Sequence, residues 1–596
     1  SQISPTAQAQ ILALVEEKRA RSPAQRKLDS TLWYALKRHR GDPLMAELPE
    51  LGTGLPRAPD GRLLLDMKAH MDAALLDAIG ALGGQVDRMD DQARQIQLRL
   101  PMAQLEALAE YPQVRALRPA LPPSFRAWHM SPTTSDATTA SARLGSVVSQ
   151  GDAGHRVDVA RSQYAVDGTG VTACAISDSV DELAQLQATG ELPGDVFVLP
   201  GQAGVGTSEG TALLEIIHDL APGASLGFAR AGPNAAVMAA NIRALRLAGC
   251  DVIIDDAYFL TEPVFQPGVI GQAIDDVVAD GAIYVTAAGN FFNLDAGLSG
   301  VWEGLFTATA LPPLLVGAGI AAHDFGGTAM TRVTTDGACC RFPFSLQWAN
   351  PSGQAADDLD LFLLSPGLTA VLDASTTVQD GDDDALEILL SAADRTNAHL
   401  VVVKFSGNDV YFHLNTNGSL LSIGTDRQSV GHGGSLQQIS VGAVGVHTLG
   451  PGAAFVGGAA NPPEFYSSDG FRRVFFDRSG NPLGARMADV RRGVGGVELL
   501  TPEVLAADRV STTTTQWQTF RGTSASAPHV AAMAALYRQR FPQATADQFR
   551  QALIDHAIDT GTPGFDRTAG GGIAMMPEML AGDFRFEDSF EDPAPR

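Results

Sequence analysis

Short, uninterrupted apolar segments alternate with helical patterns between residues 171 and 286, and no other feature constrains the fold so strongly. Each apolar segment is too short for a helix and lacks a polar face, which is typical of strands buried on both faces of a parallel sheet. Strands and helices that alternate at these lengths are joined by right-handed crossovers. The pattern therefore predicts an α/β fold with a doubly wound, mostly parallel sheet. We place its strands at 171–176, 225–229, 251–254, 281–286 and 438–444, and its helices near 209–218, 234–248 and 268–280 and from Ser524 onward.

A second pattern interrupts the first between about residues 324 and 430, where short strand-like segments follow one another without helices. Several such segments in a row predict an inserted all-β sandwich. The predicted strands are 344–348, 359–364, 386–390, 400–404 and 411–414.

The first 118 residues carry a third pattern. A polar, basic helical stretch near 5–40 precedes a β-α-β-β-α-β order of elements over about 62–118, which predicts an α+β sandwich. A segment rich in Ser, Thr, Ala and Pro follows without periodicity, as expected of an exposed linker that proteases cut readily. The predicted division is an N-terminal α+β region (1–118), a linker (119–150), an α/β domain in two parts (151–323 and 431–578), the β insert (324–430) and an acidic tail (579–596).

Charge and hydropathy exclude two classes of partner. The chain has 67 acidic and 42 basic side chains, a net charge of -25, which disfavours binding to nucleic acid or to an anionic membrane surface. The sequence contains no run of about 18 apolar residues, so it predicts no membrane span. The first residues show no signal peptide, so we expect either that one has been removed or that the protein is cytosolic.

The four cysteines are too few for a disulfide scaffold. Cys174 and Cys250 lie in apolar, strand-like segments, where small buried thiols are common. Cys339 and Cys340 are adjacent. We expect inert core thiols, or a single incidental bridge.

The most specific motif is Gly522-Thr523-Ser524-Ala525-Ser526-Ala527-Pro528-His529-Val530-Ala531. Small residues around Ser524 would let a peptide backbone approach its hydroxyl, and the apolar helix that follows would hold it. At the N-terminus of that helix, free N–H groups favour a developing negative charge. An ordinary helix cap would explain Ser524 alone but not the whole string. We therefore predict that Ser524 is a nucleophile.

The string resembles the nucleophile motif of the subtilisin-like serine peptidases, and other segments fall in that family's chain order. Ala287-Ala288-Gly289-Asn290 is similar to the segment whose Asn side chain donates to the oxyanion, a contact worth about 3 kcal/mol in the transition state. Ala175-Ile176-Ser177-Asp178-Ser179 is similar to the strand end that bears the family's Asp, with Val180 where a glycine is usual. The resemblance covers roughly 155–320 and 435–575. It implies a serine endopeptidase that acts on polypeptides, needs no cofactor for its chemistry, and uses Asp178 and the oxyanion donor Asn290.

At the family's histidine the chain departs from the pattern. Family members have His-Gly-Thr-His, an apolar helix and Ala-Pro-Gly-Ala, whereas this chain has Glu209-Gly210-Thr211-Ala212, the helix and then Ala221-Pro222-Gly223-Ala224. Because both flanking motifs align, Glu209 holds the general-base position. His218 lies nine residues further on and, at about 100° per residue, points to the opposite side of the helix. Glu215 is also off that face, so we reject both as bases.

A carboxylate can serve as the base. Sedolisins, which resemble subtilisins in fold, use a Ser-Glu-Asp arrangement and are acid peptidases, but their helical Asp has no counterpart here because Leu213 takes its position. The second carboxyl would instead be Asp178 or, as a further candidate, Asp256 beyond the strand 251–254. Two close carboxyls do not easily both ionise, so they titrate as a coupled pair. We predict a Ser524/Glu209/Asp178 centre, supported by Asp256, that acts fastest at acid to mildly acid pH.

The resemblance also bears on the flanking regions. The β-α-β-β-α-β unit is similar to the inhibitory pro-domains of subtilisins, which implies a zymogen whose own N-terminal region is a partner and is cut off within about 119–150. The insert is similar to pre-peptidase-type sandwiches of bacterial secreted proteases, which implies a secreted or periplasmic enzyme. The run Asp380-Gly381-Asp382-Asp383-Asp384 could bind structural calcium, although solvated loops explain it more simply. The alternative function is a catalytically inactive, subtilisin-like module that binds peptides.

Overall fold

The computed structural model describes residues 3–90, 94–124, 147–335, 343–390, 393–429, 432 and 434–581. Most of the predicted linker, the adjacent Cys339 and Cys340, and the acidic tail from residue 582 onward lie outside the described residues. Within the described residues the predicted α/β class, with a large parallel sheet, is confirmed.

The N-terminal region begins with four helices and continues with the predicted β-α-β-β-α-β order. Ser4 and Pro5 start the first helix, where the Ser4 hydroxyl accepts a hydrogen bond from the Ala7 N–H at 3.2 Å. The four strands form one sheet in the order β2-β3-β1-β4 with antiparallel neighbours. The elements are α1 (Pro5–Ala20), α2 (Pro23–Arg26), α3 (Ser30–His39), α4 (Pro43–Glu47), β1 (Leu63–Ala69), α5 (Ala73–Ala81), β2 (Gln85–Asp90), β3 (Gln95–Leu100), α6 (Leu105–Ala109) and β4 (Val114–Pro119).

The α/β domain is built on the parallel sheet. Its first part contains α7 (Gly151–Gly154), α8 (Val157–Tyr164), β5 (Thr172–Ser177), α9 (Leu183–Thr189), β6 (Phe197–Val198), α10 (Glu209–Leu220), β7 (Ser225–Arg230), α11 (Ala235–Leu247), β8 (Val252–Asp255), α12 (Val269–Ala279) and β9 (Ile283–Ala287). These elements match the alternation that the sequence predicts, and their buried apolar side chains form the core of the domain.

A long run of strands follows β9 and forms the β insert. It consists of β10 (Val301–Leu305), β11 (Ala308–Thr309), α13 (Pro313–Val316), β12 (Ala321–His323), β13 (Thr331–Thr334), β14 (Phe344–Trp348), β15 (Asp358–Leu364), β16 (Val371–Ser375), β17 (Leu386–Leu389), β18 (His399–Ser406), β19 (Tyr411–Asn415) and β20 (Leu420–Leu421). One sheet has the order β10-β19-β14-β17, and the other contains β11, β12, β18, β13, β20, β15 and β16. Because β10 to β12 pair with insert strands, the insert's sheets begin at Val301 rather than at the predicted boundary of 324.

The chain then returns to the α/β domain. The remaining elements are β21 (Ile439–Gly445), β22 (Arg472–Val474), α14 (Met487–Val490), β23 (Val497–Leu499), β24 (Val504–Asp508), α15 (Thr523–Arg540), α16 (Ala546–Asp555) and α17 (Met576–Met579). The complete sheet has seven strands in the order β24-β21-β9-β8-β5-β7-β6, and every neighbouring pair is parallel.

Helix α15 lies at the centre of this domain. Its residues from Thr523 to Tyr537 are all buried, and it contacts α10 as well as strands β8, β9, β21 and β24. A helix that is buried on every side needs small and apolar residues all round, which the Ala-rich sequence supplies. The nucleophile predicted at Ser524 therefore stands at the start of the most rigidly packed helix of the domain.

None of the described helices combines the length and the apolar character that crossing a bilayer would require.

Cys174 and Cys250 form a disulfide in the structure. The bond joins β5 to the residues just before β8, and the two cysteines are 76 positions apart in the sequence. Of the two outcomes expected for this pair, the single bridge is the one observed.

Replacement of both bridged cysteines, Cys174→Ala with Cys250→Ala, should lower the free energy of unfolding by about 4 kcal/mol, because the bond restricts a long loop in the unfolded chain. Urea unfolding in a Ser524→Ala background, which prevents self-digestion, measures the change. Free thiols at both positions under non-reducing conditions would contradict the bridge.

Candidate active site

The predicted site residues gather at one edge of the parallel sheet. Asp178 follows the end of β5, Asp256 follows β8, and Asn290 comes three residues after β9. Carboxyl ends of parallel strands meet at the same edge, which is where α/β proteins place their sites. Helices α10 and α15 begin at the same edge, so Glu209 and Ser524 join the three strand-end residues.

Ser524 is the second residue of α15 and is 3% exposed. Gly522, just before the helix, has φ +109°, and a Cβ at this position would lie 2.8 Å from Asn290 Nδ2. Glycine is therefore required there by both backbone conformation and space. Pro528, four residues after Ser524, has no N–H to close the helical bond to the Ser524 carbonyl.

Asn290 is locked against the first turn of α15. Its Oδ1 accepts hydrogen bonds from the Thr523 N–H at 2.9 Å and from the Thr523 hydroxyl at 3.2 Å. Since Oδ1 is the accepting end of the amide, Nδ2 is its donating end, beside Gly522. Asn290 Nδ2 and the N-terminus of α15 thus both lie beside Gly522, two residues before Ser524.

Glu209 is the first residue of α10 and is 1% exposed. Burial, followed by the charge of Asp256 and then that of Asp178, raises the pKa of Glu209 well above its ordinary value. The Ser524 hydroxyl lies near enough to this side chain to act in the opposite direction, but it is the smaller influence. Glu209 is consequently a buried carboxyl that takes up a proton easily and that lies beside the predicted nucleophile.

Asp256 is the second member of a buried carboxyl pair. Burial raises its pKa to about 8, and the charges of Asp178 and Asp255 act in the same direction, while the polar side chains of Ser177 and Glu209 oppose them. Two neighbouring acids in a buried site hold one proton between them, because two charges close together there are unfavourable.

Asp178 contacts the backbone of α10 rather than the Glu209 carboxyl. Its Oδ1 accepts the Glu209 N–H at 3.0 Å and the Ser179 N–H at 2.5 Å, and its Oδ2 accepts the Thr207 hydroxyl at 2.7 Å and the Thr207 N–H. Acceptance of N–H groups at a helix start is the function of an N-cap carboxylate. Asp178 therefore fixes where α10 begins, whereas the charge of Asp256 acts more strongly than that of Asp178 on the Glu209 carboxyl.

The two side chains rejected as bases are placed elsewhere. Glu215 is buried, and its carboxylate accepts hydrogen bonds from the Thr513 N–H and, at 3.3 Å, from the Thr514 N–H. His218 lies in the last turn of α10, and burial lowers its pKa.

His529, five residues after Ser524, is also engaged elsewhere. Its Nδ1 donates to the Ala525 carbonyl at 2.8 Å, and its Nε2 accepts from the Ser149 hydroxyl at 2.7 Å. Burial lowers the pKa of His529 to about 3, so the imidazole is neutral and both of its nitrogens are used.

Two buried groups near the site were not predicted from the sequence. Asp508, the last residue of β24, accepts the Gly522 N–H and the Tyr466 hydroxyl and so anchors the turn that carries Ser524. Asp255 accepts from His432 Nε2 at 2.8 Å, and both side chains are fully buried. Asp508 is the last residue of a strand of the parallel sheet. An acidic residue at the end of such a strand indicates a site residue, and this pattern could have identified Asp508 from the sequence.

The residues after β4 lie against the segment that follows Asp256. The Ser124 N–H donates to the Tyr258 carbonyl at 2.9 Å, and the Tyr258 N–H donates to the Ser124 carbonyl at 3.2 Å. This is an antiparallel bridge, the mode in which an extended peptide adds to an exposed backbone edge.

The acidic run in the insert contains a candidate cation site. Ligand oxygens of Asp380, Asp382 and Asp383 lie within 4.8 Å of one another. Asp384, at the end of the run, instead accepts hydrogen bonds from Lys68 and Arg118. Calcium binding stays a prediction.

A model of the subtilase family (Peptidase_S8) matches residues 370–572, about a third of the chain. The match contains Ser524 with its surrounding motif and supports a serine peptidase of the subtilase kind. No curated protein matches the chain.

Solved structures resemble the chain at low identity. MycP1 with its N-terminal propeptide removed is 15% identical with a TM-score of 0.34, and the alignment covers 74% of this chain and 100% of that one. Fervidolysin from Fervidobacterium pennivorans, a keratinolytic enzyme related to subtilisin, is 14% identical with a TM-score of 0.40, covering 91% and 65%. The epidermin leader peptide processing serine protease of Staphylococcus aureus is 11% identical with a TM-score of 0.42, covering 87% and 98%.

The buried carboxyl pair should make stability depend on pH. Because the pKa of Glu209 is raised in the folded state, the folded chain binds more protons than the unfolded chain once the pH exceeds the ordinary value of 4.5, so stability falls as pH rises from there, by up to ~1.4 kcal/mol per pH unit. Glu209→Gln in the Ser524→Ala background should therefore melt at a higher temperature than Ser524→Ala alone at pH 8, with a smaller difference at pH 5. A melting-temperature difference that does not change with pH would contradict the buried pair.

Proposed function

We propose that this chain, which carries the subtilase motif at Ser524, is a serine endopeptidase in which Glu209 is the general base. The observation that carries the proposal is that a buried carboxyl pair, Glu209 with Asp256, lies beside Ser524, near enough for the Ser524 hydroxyl to affect the pKa of Glu209. A base must come within hydrogen-bond reach of the proton that it removes and must have a pKa suited to the working pH. The position of Glu209 beside Ser524 supports the first condition, and its raised pKa supports the second.

The reaction would proceed through an acyl-enzyme. Glu209 takes the proton of Ser524 while Oγ attacks the carbonyl carbon of the scissile peptide bond. The resulting oxyanion would be stabilised by Asn290 Nδ2 and by the N-terminus of α15. The proton then passes from Glu209 to the leaving amine, and the C–N bond breaks. Water next attacks the acyl carbon while Glu209 takes its proton, the bond between that carbon and Ser524 Oγ breaks, and Glu209 returns the proton to Oγ as the carboxylic acid product leaves.

The two aspartates would have different roles. Asp256 shares one proton with Glu209 and so stabilises the pair as Glu209 gains and loses its proton. Asp178 holds the Glu209 N–H and thereby sets the position of the base from the backbone. The working state is the pair with a single proton, and we infer the highest activity at acid to mildly acid pH.

The N-terminal region would keep the enzyme latent. The bridge between Ser124 and Tyr258 supports this, because it sets the end of that region beside the candidate site in the manner of a bound peptide. Self-cleavage would then occur within about 119–150. After incubation of the wild type, residues 1–118 should no longer be covalently joined to the rest of the chain, whereas Ser524→Ala should remain intact.

The buried disulfide supports a secreted or periplasmic location, since such bonds persist in oxidising compartments.

Glu209→Gln should lower kcat for a peptide substrate by about 10²–10⁴-fold, because the amide cannot accept the Ser524 proton. Fluorophosphonate labelling of Ser524 across a pH series provides a second measurement and should weaken in parallel.

Glu215→Gln is the matched control, since it neutralises another buried glutamate of the same helix. It should retain labelling within about threefold of the wild type, as its carboxylate only positions a loop. Full activity of Glu209→Gln would overturn the assignment of the base. Absence of labelling at every pH, after the N-terminal region has been removed, would favour the inactive peptide-binding module.

Asp256→Asn should change the alkaline side of the pH profile. In the wild type, activity should fall at alkaline pH, where the pair loses the proton that it shares, because burial raises the pKa of Asp256 above the ordinary range of an aspartate. The amide of Asp256→Asn cannot lose a proton, so its activity, although lower, should persist at alkaline pH. The measurement is kcat/KM from pH 4 to 10. A wild-type enzyme that is fully active only above about pH 8 would contradict the carboxyl base.

A further inference from the structure

The N-terminal region shares a hydrophobic core with the β insert. A single cluster of buried apolar side chains contains residues of 3–117 and of 315–403, and its described members include none from the α/β domain. Helix α1 contacts α13 and β16, and α3 contacts β16. The side chains at this junction include Ile11, Leu14 and Leu32 from the helices and Phe362, Val371 and Val401 from the insert.

A buried lysine links the two regions at the centre of this core. Lys18 Nζ, on α1, lies 2.5 Å from Asp358 Oδ1 and 2.6 Å from Asp360 Oδ1, both on β15. The Lys18 side chain is 0% exposed, and Glu387, on β17, is buried close enough to act on its charge. An ion pair in such a place is strongly destabilised when one partner leaves, because the other charge stays buried without compensation.

Arginine adds a second polar link from the same helix end. Arg21 Nη1 donates to the Thr376 carbonyl at 2.7 Å, and its Nη2 donates to the Thr376 hydroxyl at 3.1 Å. Further backbone contacts continue the junction, since the Ser4 N–H donates to the Leu368 carbonyl at 3.0 Å and Gln10 Oε1 accepts from the Val371 N–H at 2.8 Å.

Other salt bridges of the N-terminal region also join it to the β insert. Within the described part of the chain, every salt bridge that leaves residues 3–118 ends in the β insert: Lys18 with Asp358 and Asp360, Arg26 with Asp380, Lys68 and Arg118 with Asp384, and Glu50 with Arg395. Contacts with the α/β domain are of another kind and include the backbone bridge of Ser124 to Tyr258.

We propose that the β insert is a receptor for the N-terminal helices, and that it rather than the α/β domain holds residues 1–118 in place once the linker has been cut. The ligand of this receptor is the apolar face of α1 and α3 with Lys18 and Arg21 at its centre, and the β1–β4 sheet adds Lys68 and Arg118 at its rim. Release of the N-terminal region would leave Asp358, Asp360, Glu387 and Asp384 without their cations, so the cut chain stays assembled. Uncovering the candidate site therefore requires separation from the insert as well as cleavage of the linker.

The experiment uses the full chain with Ser524→Ala and a recognition sequence for a site-specific protease placed between residues 125 and 146. After cutting, the N-terminal fragment should co-elute with the remainder in size-exclusion chromatography. Its release is then timed by dilution in the presence of excess labelled fragment. Because the chain is inert, the result does not depend on whether the proposed peptidase activity is correct.

Lys18→Ala should speed release of the fragment at least tenfold. Lys37→Ala is the matched control, because Lys37 is also a helical lysine of this region but pairs within it, with Asp42 at 2.7 Å, and it should leave the release rate unchanged. Ser124→Pro removes the N–H that Tyr258 accepts and should also leave the rate unchanged.

Asp384→Asn tests the same interface from the insert's side and should speed release as well, which keeps the proposal testable if Lys18→Ala does not fold. A fragment that separates immediately after cutting would overturn the proposal. So would rapid release in Ser124→Pro together with unchanged release in Lys18→Ala and Asp384→Asn, since the α/β domain would then be the anchor.

Discussion

The proximity of two buried carboxyls at the edge of a parallel sheet determines the chemistry that we propose for this chain. Glu209 and Asp256 come from a helix start and a strand end that the sheet brings to the same place, and both are buried. In most proteins such a pair would be avoided or matched with a cation. Here the neighbours are the Ser524 hydroxyl and the backbone of two helix starts. In the mechanism that we propose, the pair exchanges a proton with Ser524 and is not held as a fixed negative charge beside a cation.

Asp178 shows how the surrounding structure supports this arrangement. Its carboxylate accepts backbone N–H groups from Ser179, Thr207 and Glu209, and it therefore secures the turn before α10. Asp508 has a corresponding position before α15, where it accepts the Gly522 N–H. The proposed base, Glu209, and the proposed nucleophile, Ser524, thus both stand on helix starts that a strand-end aspartate fixes, and the sheet sets the distance between them.

The sequence predicted the α/β class, the order of its strands and helices, and the residues that the sheet edge collects, because apolar periodicity and short motifs are local. It placed Asp178 before Asp256 as the partner of Glu209, whereas Asp178 accepts the Glu209 N–H and the charge of Asp256 acts more strongly on the Glu209 carboxyl. The direction of a carboxyl at a helix start depends on which N–H groups surround it, and no pattern of spacing contains that information. The start of the insert was also displaced, since β10 to β12 are short strands whose partners come later in the chain. The helical stretch near 5–40 is polar and basic in sequence, but Lys18 and Arg21 are buried against another region, which only tertiary structure reveals.

The disulfide between Cys174 and Cys250 has a consequence for the peptidase that we propose. It joins the strand that leads to Asp178 with the strand that leads to Asp256, and the residues between them include Glu209 and an exposed loop in which Val205 is 92% accessible. A nick in that loop by a neighbouring copy would leave both fragments covalently attached through the sulfur atoms. The disulfide would keep Asp178 and Asp256 in place at the sheet edge after such a cut. A molecule nicked in this loop would therefore retain its candidate site.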